Sequence, residues 1–181
     1  GGRAGHQSSG HKETCGVPPA GPETIAGRVS QDPGKGFLEG MTITDGQFAE
    51  VEKVLILACG TSWHAALVGK YLIEKLARVA VEVDYGSEYR YRSPIVPKHT
   101  LAVVITQSGE TADTLAALRE AKHGGARSIS ICNVVGSMAT RETEGTIYTH
   151  AGPELGVVST EAYPTQVTPR PLHAHWTLAV S

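Results

Sequence analysis

Three short segments of the sequence combine glycine with serine, threonine or cysteine, and each comes directly after an aliphatic run. They are ACGTS at 58–62, TQSGET at 106–111 and CNVVGS at 132–137. The N-terminus of a helix offers free backbone N–H groups to an anion, and neutral hydroxyl groups add donors without much bulk. A single segment of this kind is more often a turn with a helix cap than a binding site. Three together predict one cup for a small ligand with many oxygens, for which a sugar phosphate is the natural candidate.

The elements around these segments explain why they should meet. Short strands are predicted for the runs VLILA at 54–58, VEV at 81–83, LAVVI at 101–105, SISIC at 128–132 and TIY at 146–148. Apolar residues at intervals of three and four predict helices over 62–76 and 111–122, and Ser62 and Thr111 are expected to cap them. Alternating strands and helices predict an α/β fold, a three-layer α/β/α sandwich with a parallel sheet. Ligands of such sheets bind at the carboxyl ends of the strands.

Composition divides the chain into four parts. Residues 1–22 are rich in Gly, Ser, Pro and His and predict a disordered tail. Residues 23–50 predict an irregular lead-in with room for a short helix. The folded domain is expected over 51–166, and 167–181 predict an atypical C-terminal tail.

Bulk composition excludes several classes of function. The chain has 181 residues, with 16 Lys and Arg against 18 Asp and Glu, so it offers no basic surface to nucleic acid or to an anionic membrane. No apolar run is long enough for a membrane span or a secretion signal, and the three cysteines are widely spaced, so we expect a cytoplasmic protein. Neither GxxxxGK[ST] nor GxGxxG after a strand is present, and His173 and His175 lack further metal ligands. We therefore expect no cofactor and no metal.

Five longer segments carry a resemblance to a known family: ILACGTSWHAALVGKY, DYGSEYRYR, TQSGETADTLAALREAK, ICNVVGSMATRE and HAGPELGVVSTEAY, in this order. Together they closely resemble the first sugar-isomerase (SIS) domain of the isomerizing glutamine–fructose-6-phosphate aminotransferases. The resemblance covers about residues 51–166 and implies a flavodoxin-like SIS fold with a sugar-phosphate pocket. It implies fructose 6-phosphate or glucosamine 6-phosphate as the ligand, and a second SIS domain or a second copy of the chain as the protein partner.

The resemblance also implies which residues line the pocket. They are Cys59, Gly60, Thr61, Ser62, Thr106, Gln107, Ser108, Thr111, Val157 and Ser159. Ser108 and Thr111 would hold the phosphate, Thr61 would face the sugar, and the loop 157–159 would close over it. A carboxylate is out of place beside a dianion, so we expect Glu110 to cap a backbone N–H or to pair with an arginine.

The resemblance assigns the chemical steps to other parts of the enzyme. In the family, glutamine hydrolysis uses a cysteine that begins a separate domain, and isomerization uses glutamate, histidine and lysine of the second SIS domain or the C-terminal tail. No residue of this sequence matches them, so we expect a binding fragment without catalytic residues. A regulatory SIS sensor of sugar phosphates is the alternative.

Two other features are the residues that follow GVVST and the charged segment SEYRYR. After GVVST, Glu161 and Pro164 depart from the family pattern and are expected to shorten the closing helix. Glu88, Arg90 and Arg92 of SEYRYR fit either a solvated charged surface or a contact with another domain.

Overall fold

A computed structural model describes residues 41–149 of the chain. Five parallel strands form one sheet in the order β2-β1-β3-β4-β5. The strands are β1 Lys53–Ala58, β2 Ala80–Tyr85, β3 Thr100–Thr106, β4 Arg127–Cys132 and β5 Thr146–Tyr148. The helices are α1 Asp45–Ala49, α2 Thr61–Ala77, α3 Gly86–Tyr89, α4 Ala112–His123 and α5 Met138–Glu142. The expectations for the two tails, for Val157 and Ser159, and for Glu161 and Pro164 lie outside the described residues.

Helices cover both faces of the sheet, which confirms the predicted three-layer α/β fold. Successive side chains of a strand point to opposite faces. Ile56 and Val103 pack with α1 and α2 on one face, whereas Leu57 and Ala102 pack with α3 and α4 on the other. All seven residues of β3 are buried, as expected for the central strand of a sheet covered on both sides.

A short helix in the lead-in segment contributes to the core. α1 begins with a capping box, in which the Gln47 N–H donates to Thr44 Oγ1 (3.3 Å) and the Thr44 N–H donates to Gln47 Oε1 (3.0 Å). This box directs Phe48 into the core, where it is buried together with Ile43.

The long helices start differently from the sequence-based prediction. The expected Ser62 cap is wrong, because α2 has Gly60 as its N-cap and Ser62 lies inside the first turn. Gly60 has φ +59° and ψ −136°, a backbone conformation that is essentially restricted to glycine. Thr111 is the N-cap of α4, yet its side chain makes no capping hydrogen bond. Both helices therefore begin without a side-chain cap of their own.

The edge strand β2 is lined with ion pairs. Glu82 contacts Lys53 Nζ (2.6 Å) and Arg92 (2.7 Å), and Arg92 also reaches Asp84 (2.6 Å). The hydrogen bond from Lys53 and then the Arg92 guanidinium hold the pKa of Glu82 below its ordinary value, although partial burial opposes them. Charged side chains along an edge discourage pairing with another strand. Within 41–149, no helix has the length and apolarity needed to cross a membrane.

Candidate functional site

A crevice opens where the connections of two neighbouring strands diverge. The chain leaves β1 through α2 on one face of the sheet and leaves β3 through α4 on the other. In open parallel sheets, ligands bind at the carboxyl ends of strands flanking such a switch point. A cavity of about 390 Å³ lies there, and its lining residues are Cys59, Gly60, Thr61, Ser62, Ile105, Thr106, Gln107, Ser108, Thr111 and Thr114.

The cavity brings together every predicted pocket residue that lies in the described part of the chain. Four come from the junction of β1 with α2 and four from the junction of β3 with α4. Two lining residues were missed by sequence reasoning, Ile105 and Thr114. Thr114 follows the N-cap Thr111 by three residues, about one helical turn, and this spacing was the signal that could have identified it.

Gly60 and the first turn of α2 form one wall. Because of its positive φ, Gly60 turns the chain sharply from β1 into the helix, and the Trp63 N–H donates to its carbonyl (3.2 Å). Space for a Cβ at Gly60 is open, so the requirement for glycine comes from the backbone rather than from crowding. The positive end of a 17-residue helix is thereby placed at the cavity, with Thr61 and Ser62 beside it.

The β3–α4 loop forms the opposite wall and is folded by its own hydroxyl groups. The Gly109 N–H donates to Thr106 Oγ1 (3.1 Å), and the Glu110 N–H donates to Ser108 Oγ (3.2 Å). Both hydroxyls act as acceptors in these bonds, so each keeps its own proton for a ligand. The Thr111 hydroxyl makes no capping bond and also lines the cavity. This wall can therefore donate several hydrogen bonds to one group of oxygens.

Cys59 and Thr114 close the floor between the two walls. Thr114 Oγ1 donates to Cys59 Sγ (3.5 Å), and Thr114 is almost completely buried. A Cβ at Gly86 would meet Cys59 Sγ at 3.1 Å and the Thr114 backbone at 3.1 Å, so a larger residue there would require these neighbours to shift by a few tenths of an ångström. The Cys59 thiol is therefore packed against Thr114 and the start of α3.

The third predicted segment does not line the cavity, which corrects the expectation that three loops form the cup. The β4–α5 loop lies behind the β3–α4 loop, where the Asn133 N–H donates to the Gln107 carbonyl (3.2 Å). The reason is topological. β4 lies one strand beyond the switch point, so its loop meets the back of the β3–α4 loop rather than the crevice.

Glu110 behaves as expected, because its carboxylate accepts a hydrogen bond from the Met138 N–H (2.9 Å) at the start of α5. It does not line the cavity. The lining residues that belong to the described part of the chain are all uncharged in type, so this part offers an anion helix N-termini and hydroxyl groups. Among residues 41–149, no group of three or more His, Cys, Asp or Glu is placed to hold a metal ion.

The fold and the crevice define a sugar-isomerase (SIS) domain. A family model described as the SIS domain matches residues 47–172, and the chain belongs to this family. Its relatives include the isomerizing glutamine–fructose-6-phosphate aminotransferases of Clostridium tetani, 59% identical over 130 residues, and of Symbiobacterium thermophilum, 49% identical over 174 residues. These matches cover 72% and 96% of this chain, but only 21% and 29% of the relatives. The resemblance inferred from the sequence motifs is confirmed.

A solved structure supports the same family assignment. The C-terminal domain of the glucosamine-fructose-6-phosphate aminotransferase from Francisella tularensis superimposes with a TM-score of 0.84 at 36% sequence identity. This match covers 99% of the present chain and 49% of that chain. A phosphosugar isomerase structure from Silicibacter pomeroyi, at 23% identity and a TM-score of 0.72, supports the fold alone.

Proposed function

We propose that this chain is the sugar-phosphate-binding SIS domain of an isomerizing glutamine–fructose-6-phosphate aminotransferase. Its ligand would be fructose 6-phosphate or the aminated product, glucosamine 6-phosphate. The observation that carries the proposal is the cavity at the switch point, where two helix N-termini and several hydroxyl groups converge and no carboxylate of residues 41–149 lines the space. The names of the relatives supply the identity of the sugar phosphate.

The two walls of the cavity suggest how the ligand is oriented. The phosphate would occupy the wall formed by the β3–α4 loop, because Ser108 and Thr111 supply hydroxyl donors next to the N-terminus of α4. The sugar hydroxyls would then face Thr61 and Ser62 at the start of α2. Hydrogen bonds to a charged acceptor are stronger than neutral ones, so the phosphate would provide most of the affinity.

The cavity supports binding rather than proton transfer. Its described lining contains no carboxylate, imidazole or amine that could act as a general acid or base. We therefore propose that glutamine hydrolysis and isomerization belong to other parts of the enzyme. This domain would pair either with a second SIS domain or with a second copy of the chain. A cytoplasmic location and the absence of a cofactor are parts of the same proposal.

Removing two hydroxyl groups tests the proposed phosphate site. In the double variant Ser108→Ala with Thr111→Ala, affinity for fructose 6-phosphate should fall at least about 100-fold, since a hydrogen bond to a charged group contributes about 1.5–3 kcal/mol. Titration calorimetry on the full chain would measure it, with fructose and inorganic phosphate as separate ligands. Thr42→Ala is the matched control, because it removes a hydroxyl bonded to the Glu144 carbonyl at the opposite edge of the sheet. Unchanged affinity in the double variant would refute the assignment.

The absence of acid–base groups among the described lining residues also fits a second function, that of a regulatory sensor of sugar phosphates. Such a sensor needs the cavity but no catalytic partner. The two functions separate in an activity assay. The chain would be mixed with the remaining domains of the Clostridium tetani relative, and formation of glucosamine 6-phosphate would support the enzyme domain. A chain that binds fructose 6-phosphate but supports no product formation with these domains would favour the sensor.

A further inference from the structure

We infer that Glu110 is a positioning residue for phosphate binding, which acts by fastening the phosphate loop to α5. The phosphate loop is defined here as residues 106–111. This inference rests on the proposed function, because it assigns a role within the same site. Glu110 does not line the cavity, so its effect on a ligand would pass through the backbone of the loop.

The phosphate loop is held from behind by a set of short contacts. The Ala139 N–H donates to the Gly109 carbonyl (3.0 Å), and the Met138 N–H donates to Glu110 Oε1 (2.9 Å). At the other end of the loop, the Asn133 N–H donates to the Gln107 carbonyl (3.2 Å). Three hydrogen bonds from the β4–α5 segment therefore fix a loop of six residues.

Gly109 of the phosphate loop also packs closely against Ser137, the residue before α5. Gly109 has φ +71°, and a Cβ at this position would overlap Ser137 and lie 2.9 Å from Cys132 Sγ. The phosphate loop thus rests on Ser137 at the residue before α5. Glu110 accepts its hydrogen bond from Met138, the residue after Ser137. The packing contact of Gly109 and the hydrogen bond of Glu110 therefore involve neighbouring residues at the start of α5.

α5 is itself anchored at its far end. Glu142 forms a two-pronged contact with Arg119 of α4, at 2.9 Å and 2.5 Å, and Lys122 Nζ donates to the Glu142 carbonyl. α5 therefore connects the phosphate loop to the C-terminal half of α4, the helix that the loop precedes. A support fastened at both ends can hold the loop in one shape, so that Ser108 and Thr111 are preorganised for a phosphate.

Removing the charge of Glu110 distinguishes its positioning role from a purely electrostatic effect of the carboxylate. A carboxylate near a dianion weakens binding through repulsion, so removing it should strengthen binding if charge alone mattered. If the carboxylate oxygen acts as an acceptor for Met138, its loss should weaken binding despite the relief of repulsion. Glutamine keeps the acceptor oxygen and removes the charge, so Glu110→Gln distinguishes the two effects.

The test compares Glu110→Ala, Glu110→Gln and the control Glu52→Ala in the full chain. Glu52 is an exposed carboxylate directly before β1, at the amino edge of the sheet. Titration calorimetry with fructose 6-phosphate and with inorganic phosphate should show that Glu110→Ala weakens binding about five- to tenfold, the effect of one lost hydrogen bond. Glu110→Gln should stay within about twofold of the original protein or bind more tightly, and Glu52→Ala should not change the affinity.

Amide hydrogen exchange without ligand gives a readout that is independent of the proposed function. Glu110→Ala should speed exchange in the phosphate loop, whereas Glu110→Gln should not. If the unaltered chain binds no sugar phosphate, the proposed function fails while the exchange result still decides the role of Glu110. Unchanged or tighter binding by Glu110→Ala, equal weakening by both variants, or unchanged loop exchange would each overturn the inference.

Discussion

The Gly109→Ala substitution is expected to damage both stability and the phosphate loop. Gly109 has φ +71°, a conformation that costs a residue with a Cβ about 1 kcal/mol. The new methyl group would also approach Ser137 Cβ to 2.5 Å and Cys132 Sγ to 2.9 Å, and overpacking of this kind typically costs about 1–3 kcal/mol. The two contributions together predict a loss of about 2–4 kcal/mol in the free energy of unfolding.

Ser137→Gly provides the matched partner for a double-mutant cycle. It removes the hydroxyl and the Cβ that the new methyl group would strike, while the φ cost and the contact with Cys132 remain. Ser137 is the N-cap of α5 and makes no side-chain capping bond, but its buried hydroxyl lies 3.4 Å from Cys132 Sγ, so Ser137→Gly alone should cost about 0.5–1.5 kcal/mol. The double variant should recover about 1–2 kcal/mol relative to the sum of the single effects.

Urea unfolding of the four proteins, followed by far-UV circular dichroism, would measure this coupling. The slopes of the transitions must agree, so that differences in midpoint report stability alone. Additive effects, within the roughly 0.3–0.5 kcal/mol expected for independent sites, would refute the claim that Gly109 rests on Ser137.

The remaining predictions concern the ion pairs of β2 and the cap of α1. The pKa of Glu82 is lowered in the folded protein, mainly by Lys53, so its contribution to stability is present above the unfolded value near 4.5 and is lost as the pH falls through the folded pKa. Lys53→Met should therefore reduce the loss of stability on acidification, and an unchanged slope of unfolding free energy against pH would contradict this. Thr44→Ala should lose about 1 kcal/mol in urea unfolding, while Thr44→Ser should retain the cap.

The sequence predicted the buried strands well because their pattern has a simple physical origin. A parallel strand covered on both faces needs a continuous aliphatic run, as in β1 and β3. The edge strand β2 was predicted as only the three residues 81–83, because the charged Asp84 follows them and ends the apolar pattern. α3 has just four residues, too few for any periodicity to appear. No pattern indicated that Ile43 and Phe48 join the core, because that packing depends on distant parts of the chain.

The loops of the site could be predicted from the sequence, but their arrangement around the cavity could not. Hydroxyl-rich segments after strands indicate the carboxyl edge of the sheet, yet only the strand order shows which two loops face each other. The order places β1 beside β3, so the segment after β4 supports the site instead of lining it. Likewise, the sequence predicted Ser62 as the cap of α2 although Gly60 is the N-cap, because a positive φ at the turn cannot be inferred from residue type alone.

The crevice between α2 and α4 has a consequence for the lifetime of the protein. These helices belong to opposite layers of the sandwich, so a ligand touching both loops would hold the two layers together like a cross-link. A ligand present at about 100 times its dissociation constant adds about 2.7 kcal/mol to the stability of the folded state. With the proposed sugar phosphate as that ligand, its concentration would set how often the domain unfolds and becomes accessible to proteases, and so how much of the domain accumulates.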